Sequence, residues 1–164
     1  MADVTILQLN DLHGYIEPHT ELVRDCGGKW RLTTLGGASR IAGLFDQVRA
    51  ERPGAVIALD NGDTFHGTHV AVASKGLALV PITNALGFDA MTVHWEFAYG
   101  PSGAKRIAEA LDYPILAANV HHKADDALFF PAAYSDEVGR AYRSEAGHRS
   151  NVKRATCTDP KRAT

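Results

Sequence analysis

Three short segments of the 164-residue chain carry side chains able to bind a cation or move a proton. They are Asn10-Asp11-Leu12-His13-Gly14, Asn61-Gly62-Asp63-Thr64-Phe65-His66-Gly67 and His94-Trp95-Glu96-Phe97. Asp11, His13, Asp63 and His94 offer carboxylate oxygens and imidazole nitrogens. That mixture suits zinc, manganese, iron and similar divalent ions, and the carboxylates are too few for a dedicated calcium site. Taken singly, each segment is ordinary: Asp-x-His and Gly-Asp are common turn sequences, and a histidine among aromatics is commonly packing. The chemistry requires a fold that brings the three together.

The intervening residues predict such a fold. Val4–Asn10 is β-branched and apolar and reads as a buried strand. Residues 11–34 read as one long irregular stretch, rich in Gly, Pro and charge. Gly36-Gly37 opens a helix with Ile41, Leu44, Phe45 and Val48 as its buried stripe. Strands follow at 55–59, 90–93 and 115–118, and Leu128-Phe129-Phe130 begins another. Helices are expected over 75–86, stopped by Gly87, and after Ser102 as cap, with Ala104, Ile107, Ala108 and Leu111 inward. Alternating strands and helices make an α/β chain with a largely parallel sheet. Ligands of such sheets bind beyond the carboxyl ends of the strands, where all three segments fall.

Residues 6–14, Gly36-Gly37-Ala38-Ser39-Arg40, residues 61–68 and Leu116-Ala117-Ala118-Asn119-Val120 together resemble the N-terminal half of the 5′-nucleotidase family. Those are calcineurin-like metallophosphoesterases with a two-metal centre. The resemblance covers about residues 4–131. It implies a layered metallophosphoesterase-type sheet with flanking helices, and a small-molecule phosphoester (nucleotide) substrate. It also implies divalent metal ions as cofactors, with Mn, Zn and Fe not distinguished: Asp11 and His13 on one ion and Asp63 bridging to a second.

Where the family carries Gly-Asn-His-Glu, this sequence reads Val93-His94-Trp95-Glu96. His94 takes the position of the metal-binding Asn and is the candidate for both ligand and catalytic group. Trp95 takes the position of the proton-transferring His and can do neither acid nor base work. The His-Trp-Glu-Phe run resembles the thiosulfohydrolase branch. The family's later Gly-His-x-His motif and its separate substrate-binding domain have no counterpart in this sequence. The expectation is an incomplete catalytic domain over 1–137, with four ligands that hold one ion weakly. The alternatives are a thiosulfohydrolase-like hydrolase and a non-catalytic remnant or binding module.

Charge and composition bound the rest. Residues 1–138 hold 10 basic against 17 acidic side chains, and residues 139–164 hold 7 against 2. An acidic body argues against nucleic acid as the partner. The basic segment 138–164 shows no apolar period and reads as a disordered tail. No apolar run approaches the ~20 residues of a membrane span. As numbered, the sequence starts without a signal peptide, so a cytoplasmic location is expected, or a periplasmic or secreted one if a signal precedes it. Cys26 and Cys157 are expected reduced and unpaired with each other. His66 and His69 flank the Gly-Asp turn and could reach the site, with loop exposure the competing reading, and the pair His121-His122 reads as exposed loop histidines.

Overall fold

The elements of the computed structural model run β1 (Thr5–Leu9), β2 (His19–Arg24), β3 (Trp30–Leu35), α1 (Ala38–Glu51), β4 (Val56–Asp60), α2 (His69–Ala73), α3 (Val80–Leu86), β5 (Ala90–Met91) and α4 (Gly100–Ala110). Residues 3–131 are described. They divide into two units, 3–19 with 35–131, and 20–34. The expected boundary at 137/138 and the basic tail lie outside the described residues.

In the larger unit, β1 pairs in parallel with β4 from Thr5↔Val56 to Leu9↔Asp60, and β4 pairs in parallel with β5. Met91 adds a parallel bridge to Ile115, which is all that forms of the expected fourth strand. The third strand is likewise two residues rather than four. Because the sheet order is β1-β4-β5, the turns after all three strands open at one edge. Leu7, Leu9, Ala58 and Met91 join a core with Phe45, Leu79, Leu86 and Ile107. The opposite face is open: Ile6 and its register partner Ile57 are exposed. β1 is therefore half-buried rather than buried. A parallel sheet is normally covered on both faces, and the described residues cover one.

Other details differ from expectation for identifiable reasons. Leu44 points to solvent, and of the expected stripe Phe45 alone is buried, because α1 packs against α3 and the Phe88 ring through a narrower face. Pro81 sits at the first turn of α3, so the helix expected from residue 75 begins at 80, behind a short 3-10 turn at Leu77–Leu79. α4 starts at Gly100 with Pro101 in its first turn, leaving Ser102 inside the helix and not as its cap. Leu128 makes only an isolated antiparallel bridge, to His121.

The smaller unit corrects the reading of 11–34 as irregular, since β2 and β3 form a two-stranded sheet. Its turn is organised by Asp25, whose carboxylate accepts from Lys29 N at 2.9 Å and Arg31 Nε at 2.8 Å. Cys26 in this turn is disulfide-bonded, against the expectation of a reduced thiol; Cys157 lies outside the described residues.

Ile107 is fully buried where α4 meets the core. Ile107→Ala should lower the unfolding free energy by about 2–5 kcal/mol, measured by urea denaturation. A change within ~0.5 kcal/mol, as at ordinary surface sites, would show that α4 is not held by this packing.

Candidate metal centre

The three turns are tied to one another by the main chain before any side chain acts. Asp11 N donates to Gly62 O (3.2 Å), His13 N to Asp63 O (2.9 Å) and Gly14 N to Thr64 O (3.0 Å). This ladder continues the β1–β4 pairing beyond the strands. It also forces unusual backbone: Asp11, His13 and Asp63 have φ of 51°, 49° and 61°. Left-handed non-glycine residues cost about 1–3 kcal/mol each and persist where their surroundings over-determine them. Gly62 is required by close approach, since a Cβ there would lie 2.9 Å from Thr92 O and 3.0 Å from His94 N.

Around this backbone the side chains converge on Asp63, which is 5% exposed. Its Oδ1 meets His66 Nε2. Its Oδ2 lies 2.9 Å from His94 Nδ1 and 3.5 Å from His13 Nε2. Burial works to raise the Asp63 carboxyl, but hydrogen bonding and charge from His66, then His13 and His94, outweigh it and hold it below the ordinary carboxylate range. Two groups of three could each hold an ion: His13, Asp63 and His66, and Asp11, Asp63 and His94, with the donor atoms of each within 4.8 Å of one another. All four sequence-predicted residues are thus brought together, with Asp11 grouped beside His94 and not beside His13. Access differs among the imidazoles: the side chains of His66, His13 and His94 are 17%, 39% and 60% exposed.

Two buried carboxylates underlie the cluster without joining either group. Asp60, 1% exposed, accepts from Gly62 N at 3.0 Å and from the Thr64 hydroxyl at 2.9 Å. Burial pushes its carboxyl up to about 6, against the opposing pull of those hydrogen bonds. Glu96, also 1% exposed, accepts from Thr64 N at 2.9 Å and His94 N at 2.7 Å. Trp95 stands exposed at the rim, its ring 6.4 Å from that of His66.

No family model matches the chain. The 5′-nucleotidase of Bos taurus is 34% identical over 135 residues, which is 81% of this chain and 23% of that protein. The solved NAD nucleotidase of Haemophilus influenzae superposes with a TM-score of 0.68 at 27% identity, over 78% of this chain and 23% of that one. The chain is homologous to the 5′-nucleotidases. It spans about a quarter of the length of these relatives. The sulfate thiohydrolase of Thermus thermophilus shares the fold, with a TM-score of 0.67 at 22% identity over 80% of this chain and 32% of that one. No helix among the described residues is long and apolar enough to cross a membrane.

Three residues around the site have no role that the sequence assigns. His66, for which the sequence leaves both the site and an exposed loop open, is half-buried against Asp63; its place three residues after Asp63, ahead of α2, is the available signal. Asp60 and Glu96 carry no spacing signature, because what they satisfy is backbone. His121 bonds the main-chain oxygen of its own loop, at Asp126, and belongs to neither group.

Asp60 gives the centre a pH signature. A carboxyl raised from 3.8 to about 6 favours the folded state fully at low pH, and that contribution is lost as pH rises through 6. Asp60→Asn keeps one acceptor oxygen and removes the buried charge. The stability of the variant relative to the parent should therefore rise by roughly 3 kcal/mol between acid and neutral pH, at 1.36 kcal/mol per pK unit. Thermal unfolding of both chains across that range measures it; a constant difference would mean that Asp60 does not titrate there.

Proposed function

We propose that the chain carries part of the catalytic centre of a divalent-metal phosphoester hydrolase acting on nucleotide-type phosphomonoesters. In this reading His13, Asp63 and His66 hold one ion, Asp11, Asp63 and His94 hold a second, and Asp63 is shared. The observation that carries it is the double use of Asp63, which belongs to both ligand groups and meets His66 through Oδ1 and His94 and His13 through Oδ2. The donor set fits: oxygen and nitrogen together, without thiolate, suit manganese, zinc or iron. His66 brings the count to five ligands, which supports a pair of ions better than the four residues taken from the sequence.

When bound, such ions supply Lewis-acid polarisation of a phosphoryl oxygen and a more acidic water. The chain's own residues do the rest. Asp63 brings the negative charge that offsets two cations in a buried position. A histidine binds a metal ion only as the neutral imidazole, so ions at these groups would be held more weakly in acid. His94, the most exposed of the three imidazoles, is the group of the cluster that an incoming substrate meets, which supports its reading as a substrate-contacting residue.

A second reading is favoured by Trp95. An indole N–H donates but cannot deliver a proton. An alkoxide leaving group needs one, whereas a sulfur leaving group of low pKa does not, so the His94-Trp95-Glu96-Phe97 run suits a thiosulfonate. Assaying AMP and a thiosulfonate conjugate with Mn2+ separates the two readings. Asp63→Asn should reduce the supported activity by more than about 100-fold, beyond the 10–100-fold typical of losing an outer-shell partner. Turnover that survives Asp63→Asn would contradict both, and a folded chain that binds Mn2+ without turning over either substrate would favour a binding module.

A further inference from the structure

We propose that Glu96 is a positioning residue: its carboxylate bridges the backbone of the turn carrying Asp63 to the backbone of the turn carrying His94, and so sets the geometry of the second ligand group. The inference rests on the metal reading above.

The three turns are not joined in the same way. The first and second are laced by three main-chain hydrogen bonds, at Asp11, His13 and Gly14. Any side chain compatible with the local φ leaves those bonds in place. Between the second and third turns, the main chain contributes Thr92 N to Asp60 O at 3.0 Å, close to the strand ends. Beyond that point Glu96 takes over. One carboxylate oxygen accepts from Thr64 N, the amide next to Asp63, and the other accepts from His94 N. Those two amides flank the contact at which His94 Nδ1 meets Asp63 Oδ2 at 2.9 Å.

Glu96 is well suited to this task and poorly suited to any other. It is 1% exposed, and a charge so deeply buried is costly unless it is fully hydrogen-bonded. Bonds of a carboxylate to backbone N–H are charge-assisted and stronger than neutral ones, so the bridge is stiff. Both oxygens are committed to amides, and Glu96 belongs to neither His/Asp group. Gly62 fits beneath the bridge: a Cβ there would come within 3.2 Å of Glu96 Oε2. A bridge made by one side chain can be removed by one substitution, unlike the ladder between the first two turns.

The test is a calorimetric titration of the full chain with Mn2+, beside thermal unfolding of the metal-free protein. Glu96→Gln is nearly isosteric but sets an NH2 group against one of the two amide donors, so one arm of the bridge is lost. Its Mn2+ dissociation constant should rise by about 10–100-fold, the range seen when an outer-shell partner of a metal ligand is removed. Ile107→Val, which loosens the core away from the turns, should lower the unfolding midpoint without changing that constant. Glu96→Gln with a lowered midpoint and an unchanged constant would overturn the proposal, because Glu96 would then only hold the fold. If Glu96→Gln does not fold, Glu96→Asp, one methylene shorter and able to reach one amide, is measured in the same way. Failure of both to fold also overturns it. Absence of Mn2+ binding by the parent chain instead defeats the metal reading itself, and is seen before any variant is made.

Discussion

A buried carboxylate surrounded by three imidazoles is the constraint on which the strand ends depend. Asp63 leaves water almost completely, which on its own disfavours its charge. Histidines from three different turns reverse that balance, and they reach it only because β1, β4 and β5 are parallel and end at one edge. Holding them there requires left-handed backbone at Asp11, His13 and Asp63, a cost borne by the main-chain ladder and the apolar core beneath it. Strain of this kind collects where geometry matters more than local stability.

The same dependence explains what could be read from the sequence. The Asp-x-His and Gly-Asp turns and His94 were legible because they follow apolar strand signals, and parallel topology fixes where strand ends go. β4 and α1 were legible through their periodicity, although Leu44 took the wrong side. His66 was not, because a histidine in a loop has the same local signature whether it faces water or Asp63. Asp60 and Glu96 were not, because they serve backbone amides that no residue pattern records. The β2–β3 pair was hidden by composition: Gly, Pro and charge mark its turn and flanks, and its strands carry exposed residues on both faces.

The open face of the sheet and the length of the relatives belong to one picture. Ile6 and Ile57 stand exposed on a parallel sheet, an arrangement that costs apolar surface to water. The curated relatives run to about four times the matched length, so their centres can draw ligands and substrate contacts from further chain. What the present residues supply by themselves is a shared carboxylate, three imidazoles, a rim carboxylate at Asp11 and an indole in place of a proton donor. In the proposed reading, that set holds the cations.

The most direct measurement of the central claim is an anomalous difference map from crystals of the chain grown with Mn2+. Density bonded to an Asp63 oxygen is expected, with His13 and His66 on one side or Asp11 and His94 on the other. Manganese bound elsewhere, with Asp63 still paired only to histidines, would contradict it.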